Sequence, residues 1–324
     1  MKPATVLAAC LLISGCAAAG GPAALISPPS GYLPADQISG LAALAVPALS
    51  SPSANDLVSV YAVSPGTDRW WLATAHAELR PPEAAQHFDC LLDTRLSQKP
   101  RPALARLMNR LLADADALVQ AMAPLTPDPA PKRPVALIEG LEPCQRLTPE
   151  SRSASAWPAG GAIVAGAYGE LFAELAPDKA EDARRTGREI AYSRVVCRIN
   201  WASDVEAGID QGAALFVRAT RQPGFQAELD AARAEVLAAR VEGLTPPSCA
   251  AERRALRQRS GRDQAGRGLT REPYRSVRRS RKKPQAARWR SMKSRSKACT
   301  STPSSSRPKL STRSPRWSAM KDEP

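Results

Sequence analysis

The sequence predicts an all-α fold: a single helical-bundle domain followed by a disordered basic tail. Three observations carry this reading. Apolar residues recur at three- and four-residue spacing through several long segments. Strand-like alternation and Asn-Gly hairpin signals are nearly absent. Charge is divided unevenly along the chain.

Taken in order, the first clear element is Pro102–Met122. There Leu104, Leu107, Met108, Leu111, Ala115, Leu118, Val119 and Met122 fall on one helical face, with Pro102 near the start. Prolines at 124, 127, 129, 131 and 134 then forbid a continuous helix and predict a loop. Ala162–Ala176 is nearly apolar throughout and ends at Pro177, which predicts a buried helix. Asp178–Ile199 follows, with Asp178 as the expected N-cap. Ser203 is the expected cap of a helix over Asp204–Thr220, and Phe225–Val241 reads as a charged amphipathic helix. Residues 16–250 suffice for one sizeable core. Trp70 and Trp71 are assigned to that core, and His76 and His87 are read as satisfied or solvent-facing residues.

Composition narrows the function classes. A hydrophobic content of 44% excludes a wholly disordered chain. No apolar run reaches the length of a bilayer span, which excludes a multi-span membrane protein. Two histidines argue against a His-rich metal site, and no metal or cofactor is expected. The net charge of +14 belongs to one end: residues 251–324 hold 23 Lys and Arg against 5 Asp and Glu, while the remainder is slightly acidic. Overall basicity therefore gives no case for specific nucleic-acid binding.

At the other end, Lys2 precedes an apolar stretch from Ala4 to Ile13 that is too short to span a bilayer. It runs into Ile13-Ser14-Gly15-Cys16, which resembles a bacterial lipobox. That resemblance implies cleavage before Cys16, acylation of its thiol, and a periplasmic chain anchored to outer-membrane lipid. The expected organisation is a signal peptide over 1–15, a linker over 16–34, a helical domain over 35–258 and a basic tail over 259–324. The tail is rich in Arg, Ser, Lys and Pro. It reads either as a segment that adheres to anionic envelope surfaces or as an out-of-frame extension of a GC-rich gene. Of seven cysteines, Cys90, Cys144, Cys197 and Cys249 lie in the body; an oxidising compartment predicts two disulfides among them, in one of three connectivities.

Around residue 200 the chain becomes specific. Ser193-Arg194 is followed at fixed spacing by Asn200 and Asp204; upstream lie Pro158-Ala159-Gly160-Gly161 and, before them, Arg133-Pro134. This order resembles the motifs SRxxxxxHxxxD, PSGH and KxxxxxxRP of bacterial class A non-specific acid phosphatases, within the phosphatidate phosphatase type 2/haloperoxidase superfamily. The resemblance is good from roughly 83 to 258. It implies that Arg133 and Arg194, with backbone N–H groups at Gly160, hold the phosphoryl oxygens. It also implies a His nucleophile, an Asp orienting it, and a His general acid. Here Asn200 stands at the nucleophile, Gly161 at the general acid, Thr126 at the lysine and Ala159 at the serine, while Asp204 is retained. Lys132 is the nearest substitute for the lost lysine. Asp204 is expected to accept a hydrogen bond from the Asn200 amide. The same resemblance implies the pairings Cys90–Cys249 and Cys144–Cys197.

The leading expectation is an exported phosphatase-family protein that has lost phosphomonoester hydrolysis and keeps a phosphate or phosphomonoester pocket or a scaffold role. Two alternatives stand beside it: an active phosphomonoesterase using other groups, and an envelope-binding protein acting through its tail.

Overall fold

The computed structural model describes residues 30–45, 51–243 and 246–257. Cys16 with the signal, and the tail from 259 onward, lie outside the described residues.

Breaks between helices fall where prolines, glycines and caps put them. Helix α1 (Ala35–Ala42) is followed by α2 (Ala54–Tyr61), where Ser53 and Asp56 satisfy each other's backbone N–H groups. Helix α3 (Asp68–Ala75) is capped by Thr67, whose hydroxyl accepts from the Trp70 N–H. A 3-10 segment, Glu83–Phe88, leads into the single turn α4 (Asp89–Leu92). Helix α5 (Pro102–Met122) occupies the span the apolar stripe predicts, with Pro102 in its first turn. The proline-rich stretch holds one 3-10 turn, Ala123–Leu125, and the short α6 (Pro134–Leu137). After α7 (Pro149–Ser153) come the four long helices α8 (Gly160–Leu175), α9 (Ala180–Val196), α10 (Ala202–Ala219) and α11 (Phe225–Glu242), and then α12 (Cys249–Arg257). Among the described residues the only extended pairing is the isolated antiparallel bridge between Lys132 and Ser155.

Helix α8 is the pillar of the core, and α9 and α10 pack on it. Its small residues allow backbones to meet. A Cβ on Gly187 of α9 would lie 2.7 Å from both Ala165 O and Gly169 Cα of α8. Gly212 of α10 packs in the same way onto the backbone of Ile163. Helix α5 buries Leu104, Leu107, Met108, Leu111 and Leu118 in the same core. Removing such a side chain down to Ala typically costs about 2 to 5 kcal/mol, against a whole-domain stability of about 5 to 15 kcal/mol.

Several expectations need correction. Asp178 does not cap α9: it lies in a 3-10 turn, Pro177–Lys179, and its carboxylate pairs with Arg240 at 2.6 Å. Ser203 does not cap α10 either, because the helix begins two residues earlier than expected, at Ala202 after Trp201. Its N–H is held instead by Asp56 Oδ1 of α2 at 2.9 Å, a contact across 147 residues. Trp70 is buried but Trp71 is exposed. The end of the expected linker belongs to the packed body. The N–H groups of Tyr32 and Leu33 donate to the Asp114 carboxylate, each at 2.9 Å. The Tyr32 ring lies under Arg110 and against Phe225.

Two disulfides bond distant parts of the body. Cys90 pairs with Cys249 across 159 residues, and Cys144 with Cys197 across 53.

Candidate functional site

The segments carrying the three motifs are fastened to one another through backbone carbonyls. Ala156 N donates to Pro131 O at 2.8 Å, and the Trp201 indole N–H donates to Lys132 O at 2.9 Å. Val135 N donates to Arg198 O at 3.2 Å. Residues 131–135 are thereby held between the strand-like turn before α8 and the loop joining α9 to α10. That loop turns sharply at Arg198, whose φ of 62° is in the left-handed region. Its guanidinium donates to Glu142 O and lies over the Trp70 ring.

Within this frame Arg133 and Arg194 are each anchored through Nε. Arg133 Nε donates to Ser155 O at 3.2 Å, and Arg194 Nε lies 3.4 Å from Asn200 Oδ1. Among the described residues, no hydrogen bond or ion pair takes up the terminal nitrogens of either guanidinium. Burial lowers the pKa of both, and that of Arg194 falls to about 10, with the charge of Arg133 as a second cause. The two cations repel each other, half-buried, and among the described residues neither is paired with a carboxylate.

Arg194 also explains what has become of position 161. A Cβ on Gly161 would come within 3.0 Å of Arg194 Nε and 3.1 Å of its Cδ, so the arginine side chain lies across the first turn of α8. An imidazole there would have to displace it. Asn200 is buried; its Nδ2 donates to Ala156 O. The expected bond from this amide to Asp204 is therefore not the one formed. Asp204 accepts from the Trp201 N–H at 3.3 Å, a bond that joins the start of α10. Burial pushes the Asp204 carboxyl up to about 6, with the charge of Asp56 adding to it.

The remaining candidates stand apart. Lys132 is exposed and contributes its backbone to the frame rather than its ammonium to the arginines. Thr126 closes the turn Ala123–Leu125 through its own N–H, and among the described residues no hydrogen bond joins it to Arg133 or Arg194. Ala159 precedes α8 and Gly160 opens it, packed against Val119. Neither His76 nor His87 lies in a motif, yet His76 Nδ1 is 2.8 Å from Ser193 Oγ, next to Arg194 in sequence.

The Salmonella typhimurium protein named non-specific acid phosphatase is 30% identical to this chain over 186 residues, covering 54% of this chain and 69% of that protein. The chain belongs to the non-specific acid phosphatase family. Other relatives of this family include an acid phosphatase of Zymomonas mobilis, 28% identical over 184 residues (56% of this chain, 67% of that protein). A non-specific acid phosphatase of Salmonella typhi is 27% identical over 182 residues (54% and 69%). No family model matches the sequence.

Sequence reasoning missed the groups that hold these motif residues together. Ser155 O and Ala156 O anchor Arg133 and Asn200, and such backbone acceptors leave no trace in side-chain identity. The box at Ser53 and Asp56 is legible as a local cap, but its reach to Ser203 is not.

Proposed function

We propose that this acid-phosphatase-family chain binds inorganic phosphate or a phosphomonoester between Arg133 and Arg194 and does not turn it over. The observation that carries this reading is the pair of guanidiniums, each tethered by Nε and with no partner for its terminal nitrogens among the described residues. A guanidinium fork is suited to phosphate oxygens, and the start of a sixteen-residue helix at Gly160 adds a partial positive charge. Turnover needs more. An amide nitrogen delocalised into its carbonyl does not attack phosphorus, so Asn200 forms no phosphoenzyme. Gly161 delivers no proton to a leaving alkoxide, a role typically worth about 10²- to 10⁴-fold. Asp204 orients no imidazole.

The test is phosphate binding by calorimetry alongside hydrolysis of an aryl phosphate by the purified chain. Saturable binding with hydrolysis at background supports the reading. Hydrolysis at about 1 s⁻¹ or faster that disappears in Arg194→Ala overturns it.

The same chain is read as exported and anchored through Cys16. The support is the order Ile13-Ser14-Gly15-Cys16 after an apolar stretch. Cys16→Ser is expected to release the protein from the membrane fraction, and unchanged membrane fractionation would refute this anchor.

A further inference from the structure

Away from the arginines, a cavity of about 380 Å³ opens between α3, the Glu83–Phe88 segment with α4, and α12. It is lined by Trp71, His76, His87, Asp89, Arg95 and Glu252 among others, and so contains both histidines of the chain. The bridge from Cys90 to Cys249 holds its two walls together.

Hydrogen bonds determine what these groups offer. Ser193 Oγ donates to Glu189 O at 3.0 Å and accepts from Arg69 at 3.0 Å, so its remaining contact, with His76 Nδ1, has the imidazole as donor. His87 Nε2 lies 2.7 Å from Glu78 O, a carbonyl, and is a donor too. Burial lowers both pKa values, so the rings are neutral near pH 7 and each keeps one acceptor nitrogen. The His76 ring also bonds the Glu189 backbone, while the other nitrogen of His87 has no hydrogen-bond partner among the described residues, although His76 and His87 are only 5% and 6% exposed.

The carboxyls match them. Asp89, 6% exposed, accepts from the Leu96 N–H through Oδ1, and Glu252 forms no side-chain hydrogen bond or ion pair among the described residues. Arg95 lowers the Asp89 pKa without pairing with it at ion-pair distance, while Asp68 at the rim is taken up by Arg254 at 3.2 Å. Burial raises Asp89 to about 6 and raises Glu252 as well, with the charge of Asp89 as a second cause for Glu252. The cavity thus gathers three acceptors with unused capacity, at His87, Asp89 and Glu252, two of them mutually repelling carboxyls. Beside them Trp71, 62% exposed, offers an aromatic face. No group of three or more His, Cys, Asp or Glu among the described residues is arranged to hold a metal ion.

We propose that this cavity binds a small organic cation carrying N–H donors, a primary ammonium or guanidinium on a short alkyl body. The donors would meet the His87 imidazole nitrogen and carboxylate oxygens, the charge would relieve the Asp89–Glu252 repulsion, and the alkyl body would lie on the Trp71 indole. The proposal is independent of the phosphate reading.

Calorimetric titration of the full chain at neutral pH with agmatine tests it, with tetramethylammonium as the cation that has no donors. Agmatine is expected to saturate one site, with tetramethylammonium about tenfold weaker or more. Glu252→Gln is expected to lower agmatine affinity about tenfold, and Trp71→Ala, at an exposed position that leaves the fold intact, about three- to tenfold. Absence of saturable agmatine binding overturns the proposal. So does equal affinity for tetramethylammonium, or binding that both substitutions leave unchanged.

Discussion

The two arginines and the acceptor-lined cavity are opposite solutions to placing charge under partial burial. At Arg133 and Arg194 the fixed groups are permanent cations with spare donors, held by carbonyl oxygens of Ser155 and by the Asn200 amide. In the cavity the imidazoles and carboxyls are acceptors that titrate, with Arg95 the cation beside them. Both histidines of this acid-phosphatase relative, its natural proton carriers at neutral pH, line the cavity rather than the arginine site. The difference is that the motif arginines and the imidazoles face different surroundings, with His76 joined to the motif only through Ser193. Each region has its own covalent tie: Cys144–Cys197 at the C-terminal end of α9, three residues after Arg194, and Cys90–Cys249 across the cavity.

The sharpest way to break the comparison is to cut those ties one at a time. Loop-closure entropy assigns about 5 kcal/mol to the bridge spanning 159 residues and about 4 kcal/mol to the one spanning 53. Chemical unfolding of Cys90→Ser/Cys249→Ser is expected to show the larger loss, with amine binding abolished and phosphate binding kept. Cys144→Ser/Cys197→Ser is expected to lose less stability and to weaken phosphate alone. If both double variants lose both ligands, the regions are not separate.

Next in size is Arg194→Gln. It keeps a polar side chain over Gly161 but removes a charge-assisted fork of about 1.5 to 3 kcal/mol, so phosphate affinity measured by calorimetry is expected to fall about ten- to a hundredfold. Agmatine affinity is expected not to change.

A comparable effect follows from pH. Asp204 is raised from its ordinary value to about 6, so its proton is bound more tightly in the folded chain than in the unfolded one. Its contribution is fully present below the ordinary carboxyl pKa and is lost as pH rises towards 6. The expected loss is about 2 to 3 kcal/mol. Asp204→Asn keeps an oxygen for the Trp201 N–H and is expected to flatten the stability profile between about pH 4 and 6. A profile as steep as that of the parent chain would assign the titration elsewhere, with Asp89 the first alternative. The smallest effect belongs to Lys132→Ala, which is expected to change phosphate affinity less than about threefold, because an exposed ammonium is screened by solvent.

How far the sequence reveals all this depends on whether an interaction is periodic or long-range. The stripe of α5 and the apolar run of α8 are legible because burial repeats along one helix face or all round it. Asp178 and Ser203 mislead because a capping residue is recognised by type alone, and both side chains are claimed or bypassed by partners far away in the chain. Trp71 misleads for the opposite reason: beside a buried Trp70 on the same short helix, its neighbour must point elsewhere. In the site, the positions of Arg133, Arg194, Asn200 and Gly161 are legible by motif. That Arg194 fills the volume over Gly161 is not, since only a folded backbone brings those two residues together.

The glycine seam between α8 and its neighbours sets a tolerance for evolutionary change. Gly187 meets Ala165 O and Gly169 Cα, and Gly212 meets Ile163, main chain against main chain, well inside the bundle. The spacing of α8 from α9 and α10 is therefore independent of whatever side chains line the arginine site. A lineage can exchange a reactive imidazole for an amide, or delete a side chain at the mouth of α8, and the three helices keep their register. Drift in chemistry is cheap in such an architecture, and drift in the seam is not. The helix frame and the chemistry of the motif positions are in this way under separate constraints.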